Sequence, residues 1–482
     1  MTNALALAVY VLVIAAAAAL VWRRPAWVLY AYIVGLALHN SVLTALYSAG
    51  VRGGTLTAVQ AWKELLLAVA FGSVAWAAWR ARRLPFRPEF AEWLGLAFVA
   101  LCVVYALIPQ SALGGHATRH AVALAFRHDV VPVAAFLLFR SLGLSRVELR
   151  RVGWTLLGAA AAVAAWGLID VFAIPIGWWR TNGVVDYFHK QLGYDYHGTG
   201  GLPENFIYST GSDKEFLRRL VSTFLSPLAT AYMIVVALLL APRRRAAAPL
   251  AALAFAGLLF TFSRSALIAL AGGLVVLALT CRRAWPAAAA VLVAAIAVGW
   301  AHAFPHVAPT GHWTKADLVY QHNRARQTTG TVSGSATSVN ESSFHSHLVS
   351  LKEGARTVVH HPQGFGLGNV GQTASRTGTA LKAGESNYTE LGAELGIVGA
   401  LLWIAWNLAI LLRLRGAPAV AASFAAILIL AIQTDVIGDP WVAYVVWGLA
   451  GLLITGSASA PTVASSRRVP DGSRRPSRRD EE

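Results

Sequence analysis

Residues 341–403, ESSFHSHLVSLKEGARTVVHHPQGFGLGNVGQTASRTGTALKAGESNYTELGAELGIVGALLW, decide the fold, because they join a polar segment directly to an apolar one. Apolar residues at helical spacing predict a helix over 344–359. Pro362 ends it, since proline disfavours helical geometry in the residue before it. Glycines repeated over 364–371 let backbone approach backbone or ligand closely.

The last part of this stretch, beginning at Glu385, runs into an apolar segment long enough to enter a membrane. His347 and Glu385 therefore lie in polar segments on either side of a glycine-rich bend. The second of these segments leads directly into a membrane helix. This order predicts a site at the membrane surface.

The composition predicts a polytopic membrane protein. The chain has 482 residues, of which 56% are hydrophobic and 13% charged, and its mean hydropathy is +0.56. Its two cysteines, Cys102 and Cys281, fall in or at the ends of apolar segments, so no disulfide framework is indicated.

The apolar segments predict an all-α bundle of 12–13 transmembrane helices, since about 20 mainly apolar residues span a bilayer. Candidate spans are 3–22, 26–48, 60–79, 93–109, 121–139, 152–175, 221–241, 247–262, 264–281, 284–303, 390–412, 417–436 and 441–456. Arginine clusters occupy alternate connections and the tail, so the positive-inside rule makes the N-terminus external and the C-terminus cytoplasmic. The net charge of +17 is then a topology signal, and nucleic acid is not an expected partner.

This topology divides the chain into six parts. They are N-terminal membrane helices (1–175), an aromatic-rich extracytoplasmic loop (176–220), central membrane helices (221–303), a large extracytoplasmic loop with short helices that carries the candidate site (304–389), C-terminal membrane helices (390–456) and a disordered cytoplasmic tail (457–482).

Four segments resemble motifs of the O-antigen ligase and polymerase (Wzy_C-type) superfamily, and they occur in the family's order. Residues 261–266 (TFSRSA) resemble its T-x-S-R-G-A helix, and residues 361–368 (HPQGFGLG) resemble H-P-L-x-G-V-G-x-G. Residues 385–399 (ESNYTELGAELGIVG) are similar to H-N-x-Y-L-x-L-L-x-E-x-G-x-x-G, and residues 219–227 (RLVSTFLSP) to R-x-x-G-T-F-x-x-P.

The resemblance implies a GT-C-like helical fold and a glycosyltransferase activity that needs no cofactor or metal. Family members transfer or polymerise glycans from undecaprenyl-diphosphate carriers at the outer face of the inner membrane. In the ligases, two arginines hold the diphosphate and a histidine activates the acceptor hydroxyl. Arg264 matches the first arginine, whereas the second arginine falls on His347 and the histidine on Glu385. Both departures argue against a lipopolysaccharide ligase, and a glutamate at the last position resembles the polymerase-type branches.

Physical arguments also favour a site that contains Arg264. A charge at the membrane edge is costly and so is usually functional or paired, and a guanidinium can bind a diphosphate through bidentate hydrogen bonds. The alternative is that Arg264 pairs with Asp435 or Asp439.

Two side chains are candidates for the base that takes the acceptor's proton. Glu385 is favoured if the membrane edge raises its pKa, while His347 is either the base or a group that holds the diphosphate. The alternative for Glu385 is that it caps the helix predicted to begin near Tyr388.

Four further residues are expected to contact the substrate. Arg219 and Asn387 lie in segments that resemble the family, and Lys352 and Arg356 are spaced to share a helix face. A solvated helix face is an equally simple explanation of Lys352 and Arg356.

We therefore expect a glycosyltransferase of the bacterial cytoplasmic membrane whose partners are an undecaprenyl-diphosphate-linked glycan, an acceptor glycan or lipid, and membrane lipids. The first rival is a transporter or flippase of lipid-linked glycans, which should carry charges through its mid-membrane helices and have small external loops. Here charges are sparse in the predicted spans and the external loops are long. A second rival, a non-catalytic scaffold, gives no reason for Arg264, His347 and Glu385 on the outer face.

Overall fold

A computed structural model describes residues 3–194, 202, 205–209, 214–319, 342–379 and 385–454, so the predicted tail at 457–482 lies outside the described residues. The helices are α1 Asn3–Arg23, α2 Trp27–Ser48, α3 Gly53–Gln60, α4 Trp62–Ala81, α5 Phe90–Leu107, α6 Arg119–Arg140, α7 Arg146–Ala173, α8 Ile176–Thr181, α9 Val184–Asp186, α10 Pro227–Leu239, α11 Ala248–Phe260, α12 Arg264–Cys281, α13 Ala284–Val307, α14 Ser342–His360, α15 Gly371–Thr377, α16 Asn387–Arg413, α17 Pro418–Leu430 and α18 Trp447–Ile454. The strands are β1 Ile207–Tyr208, β2 Glu215–Arg218 and β3 Thr310–His312.

Within these residues, nine helices are long and apolar enough to cross a membrane: α1, α2, α4, α5, α6, α7, α12, α13 and α16. Four shorter apolar helices lie at Pro227–Leu239, Arg245–Phe260, Pro418–Leu430 and Val442–Ile454. Each of the thirteen predicted spans coincides with one of these helices. The protein is therefore a multi-pass membrane protein built as a mainly α-helical bundle. Helices suit lipid because their backbone N–H and C=O groups bond to each other where no water is present.

Tryptophan residues fill the centre of the bundle. Trp403 of α16 lies 5.2 Å from Phe98 of α5 and 5.7 Å from Trp447 of α18, measured between ring centroids. Trp406 meets Phe136 of α6 edge-on at 5.7 Å. Gly451 lets α18 approach the α6 backbone, because a Cβ there would overlap Phe136.

At one end of the bundle, a buried ion cluster ties three helices together. Glu92, in the first turn of α5, is fully buried and lies 2.7 Å from Arg140 Nε and 3.2 Å from an Arg413 nitrogen. Glu89 lies 2.8 Å from Arg413. The arginine clusters at the ends of α6 and α16 therefore lie at the same end of the bundle. The sequence predicts this, because clusters at alternate connections should all face the same side of the membrane.

A small antiparallel sheet lies in the two long loops, in the order β1-β2-β3. Leu217 faces Tyr208 on one side and Thr310 on the other, so β2 joins the segment before α10 to the segment after α13. Phe216 is fully buried and packs against Trp313, with ring centroids 4.7 Å apart. The sequence analysis predicted short helices in the second loop and no strands in either, because strands of two to four residues are too short to show alternation.

The glycine-rich segment folds against a break in α16. The Phe365 N–H donates to the Ala393 carbonyl at 2.7 Å, and the Ile397 N–H donates to the Pro362 carbonyl at 2.9 Å. The break is at Gly396, whose φ of +72° and ψ of −177° are not helical. A Cβ on Gly364 or Gly396 would overlap the facing backbone, so the predicted close approach is confirmed.

Candidate functional site

The structure brings His347 and Glu385 together. His347 is on α14, Glu385 lies just before α16, and Nδ1 of His347 is 2.7 Å from Oε2 of Glu385. This is an ion-pair distance without hydrogen-bond geometry. The two side chains are 30% and 56% exposed, although Nδ1 of His347 itself is buried. Ser386 is the N-cap of α16 and no side chain caps it, so the capping alternative for Glu385 is wrong.

Arg264 is placed by a break between two helices. Phe262 has a φ of +50°, and the Thr261 hydroxyl accepts a hydrogen bond from the Ser263 N–H at 3.3 Å. This turn ends α11 and makes Arg264 the first residue of α12, half-buried and 5.9 Å from the Phe262 ring. The segment that resembles the family motif therefore presents its arginine at the head of a helix.

The neighbour of Arg264 is a second arginine, Arg219. Arg219 is half-buried and its Nε donates to the Thr261 carbonyl at 2.9 Å. Burial and the adjacent Arg264 guanidinium lower the pKa of Arg219 to about 10. Like charges close enough to interact repel each other, and an anion that binds both would relieve that repulsion. The motif resemblance predicts the second arginine's position at His347, whereas the arginine that interacts electrostatically with Arg264 is Arg219.

Contacts near Ala431 place both pairs at one end of the bundle. The Ala431 carbonyl accepts from the Asn387 N–H at 3.0 Å and from the Ser386 hydroxyl at 3.1 Å, which fixes the chain beside Glu385 to the end of α17. Tyr232 of α10 interacts electrostatically with Arg219 and also with Asp435 and Asp439, which follow α17.

The other predicted substrate-binding residues have different environments. Lys352 and Arg356 are exposed on α14, as expected for a solvated helix face. Asn387 is only 1% exposed and lines a small pocket, and neither of its amide atoms has a hydrogen-bond partner in the described chain. Asn387 is thus placed to bind something small inside the bundle.

That pocket is lined by a cluster of ionisable groups that sequence reasoning missed. His128 of α6 lies 2.8 Å from Asp129 through Nδ1 and 3.0 Å from Asp435 through Nε2. Glu394 accepts a hydrogen bond from the Gly368 N–H at 2.9 Å, and Glu390 lines the same pocket. One sequence feature could have indicated this cluster: two ionisable residues, His128 and Asp129, lie in the middle of an apolar span. Such groups are costly in a membrane and therefore usually have a function.

Both acidic residues considered as partners for Arg264 have other contacts. Asp435 meets His128 and accepts from the Gly438 N–H at 3.1 Å. Asp439 accepts from the Trp441 N–H at 2.8 Å. Over the described ranges, no three His, Cys, Asp or Glu side chains are arranged to hold a metal ion.

Neither a protein-family model nor a curated protein matches this sequence.

Proposed function

We propose that this protein is a membrane glycosyltransferase that moves a glycan from an undecaprenyl-diphosphate carrier to an acceptor hydroxyl at the outer face of the bacterial cytoplasmic membrane. The observation that carries the proposal is that Arg219, bound to the Thr261 carbonyl, interacts electrostatically with Arg264 at the end of the bundle that also holds His347 and Glu385. The likeness of four segments to motifs of the O-antigen ligase and polymerase superfamily, which implies a GT-C-like fold, supports it.

In this proposal, the two arginines hold the donor's diphosphate. Each guanidinium offers a planar set of donors that matches phosphate oxygens, and both are half-buried, where charge interactions are strong. As the bond from the anomeric carbon to the diphosphate oxygen breaks, negative charge grows on the leaving group. Fixed positive charges stabilise that transition state without reorganising.

His347 and Glu385 remove the proton from the acceptor. The Glu385 carboxylate lies 2.7 Å from the His347 imidazole, so the acceptor's proton can be held between the two side chains and they act as one basic unit. The acceptor oxygen attacks the anomeric carbon, its proton passes to this unit, and the lipid diphosphate leaves. Glu385 precedes the membrane helix at the position where the related ligases carry their base, and we assign it that role.

Purified protein in lipid nanodiscs tests the arginine pair. Arg264→Ala should abolish transfer from a lipid-diphosphate glycan, and Arg264→Lys should be nearly as damaging because an ammonium cannot form the bidentate fork. Arg150→Ala and Arg150→Lys, which change an exposed arginine of α7, should leave transfer intact. Normal transfer in Arg264→Ala would remove this residue from the mechanism.

Deleting the gene should remove or shorten one surface polysaccharide, which would identify the product.

The second candidate function is a flippase for the same lipid-linked glycans. The observation that favours it is the buried group of His128, Asp129, Glu390, Glu394 and Asp435 inside the bundle, since such charges commonly mark transport paths. In proteoliposomes, a flippase would move the lipid donor between leaflets without forming a glycosidic bond, whereas a transferase would form the bond with donor supplied on one side.

A further inference from the structure

The pocket beside Asn387 encloses four carboxyl groups and one imidazole. Its lining includes His128 and Asp129 of α6, Glu390 and Glu394 of α16, and Asp435. Asp129 is fully buried, and the three other acidic residues are 6–9% exposed. The space between them holds about one water molecule.

The charges in this pocket do not balance when all carboxyl groups are ionised. His128 is the one basic side chain in the lining. Two further charged groups do not correct this: Arg127, next along α6, lies 3.4 Å from Glu64 of α4, and Asp439, which interacts electrostatically with Asp435, adds a further acid. On α5, the facing titratable group is the neutral thiol of Cys102. Several uncompensated negative charges inside a membrane bundle are very costly, so protons must neutralise some of them.

Unpartnered atoms also indicate that protons are held here. Oδ2 of Asp129 is buried and has no hydrogen-bond partner in the part of the chain that the structure describes. The carboxyl groups of Asp129 and Glu394 lie within hydrogen-bonding reach of each other. Two ionised carboxylates only accept hydrogen bonds, so a proton on one of them supplies the donor that the pair lacks.

Asn387 provides the second, independent sign of a ligand. Its amide offers a donor and an acceptor, both buried and both without a partner among the described residues. A water molecule can satisfy both, and the pocket has room for one. Asn387 is two residues from Glu385 along the chain, so the pocket and the proposed base are joined by a short piece of backbone.

Glycines enclose the acidic side chains. Gly371 has a φ of +64°, and a Cβ there would lie 2.6 Å from the Glu390 carboxyl carbon. A Cβ on Gly438 would overlap the Asp435 carboxyl group. The start of α15 and the turn after α17 thus bring bare backbone against these carboxyl groups, which makes the pocket a built feature of the fold.

We propose that the cluster of His128, Asp129, Glu390, Glu394 and Asp435 is a proton-binding site that receives the proton released at His347 and Glu385. The proton-binding half stands on the cluster's own contacts, whereas its part in transfer rests on the proposed function. In each transfer the acceptor oxygen bonds to the anomeric carbon while the carbon–diphosphate bond breaks and its electron pair leaves with the lipid diphosphate. The acceptor O–H bond also breaks, and its proton passes from His347 and Glu385 to a carboxylate of the cluster; a water molecule bound at Asn387 would bridge that path. The proton then leaves to bulk water and the site is reset.

Infrared spectroscopy of the full-length protein in nanodiscs tests proton binding without any need for activity. The wild-type spectrum at neutral pH should contain the carbonyl band of protonated carboxyl groups, which shifts in deuterium oxide and fades as the pH is raised. Asp129→Asn and Glu394→Gln should each remove the part of this carbonyl band that comes from the proton shared by the two carboxyl groups. Glu353→Gln, which alters an exposed carboxyl group on α14, should leave the band unchanged.

A wild-type spectrum without this band would overturn the proposal, as would a band unaffected by both cluster variants. If either variant fails to fold, Glu390→Gln and Asp435→Asn replace it in the same measurement, with loss of band intensity expected and an unchanged band contradicting the site.

A kinetic measurement tests the link to transfer. Asp129→Asn should lower kcat about tenfold or more with little change in the donor KM, and a small diffusible base such as imidazole should restore turnover. Loss of activity that no added base restores would show a merely structural role. An infrared band in a protein with no transferase activity would refute the proposed function and leave the proton site standing.

Discussion

His347 and Glu385 act together in the proposed mechanism, and their effects should therefore not be independent. Glu385→Gln and His347→Gln should each lower turnover by roughly two to four orders of magnitude, because either change destroys the basic unit. The double variant should be little worse than the single ones, as is usual for groups that act as a unit. The measurement is kcat together with donor affinity for all four proteins; effects that multiply would mean that the two residues act separately.

The sequence was sufficient to choose most residues of the candidate site but not their partners. Arg264, His347 and Glu385 stood out because polar groups next to membrane helices are costly and short motifs report local geometry. That Arg219 lies beside Arg264 depends on how β2 returns to the turn before α12, and no local spacing encodes that. Asp129 escaped notice because one acid in an apolar span changes the hydropathy of that span very little.

At the scale of elements, the break in α16 allows the glycine-rich segment to pack and hydrogen-bond against that helix. Gly396→Ala should destabilise the protein by about 1–3 kcal/mol, because φ and ψ there suit only glycine and a Cβ would overlap the Pro362 carbonyl. Gly299→Ala is the matched control: it lies in α13, a Cβ there meets nothing within 4 Å, and alanine favours a helix.

Thermal unfolding of both variants in the same detergent measures the difference. A Gly396→Ala protein as stable as the Gly299→Ala protein would show that the break is not required by the fold.

Helices were easier to predict than interruptions. The helix predicted over 344–359 is α14, Ser342–His360, and all thirteen predicted spans fall on apolar helices. The break at Gly396 was not foreseen, because residues 385–399 are followed by an unbroken apolar run and a lone glycine is tolerated in a helix. Its cause is a hydrogen bond from Ile397 to Pro362, a contact between segments that only the folded chain brings together.

For the whole molecule, the alternation of arginine clusters predicts which ends face the cytoplasm. In a variant without Cys102 and Cys281, a cysteine at Thr379 should react with an impermeant thiol reagent added outside cells. A cysteine at Arg244 should react only after permeabilisation. Gly330 and Arg468, outside the described residues, should behave like Thr379 and Arg244 respectively. Labelling of the 244 site in intact cells would reverse the orientation and move the proposed site to the cytoplasm.

Glu89 and Glu92 are neutralised by Arg140 and Arg413. This cluster therefore becomes electrically neutral only after Arg413, late in the chain, has been synthesised. Glu92 and Arg413 are 321 residues apart, so at about 5–20 residues per second the ribosome needs roughly 15–60 s to supply the second arginine after the glutamates. Until then two glutamates share one arginine, and the half-built bundle carries an unneutralised acid at the end of α5. A chain that stops short of α16 has no Arg413, so it keeps this acid without its second arginine.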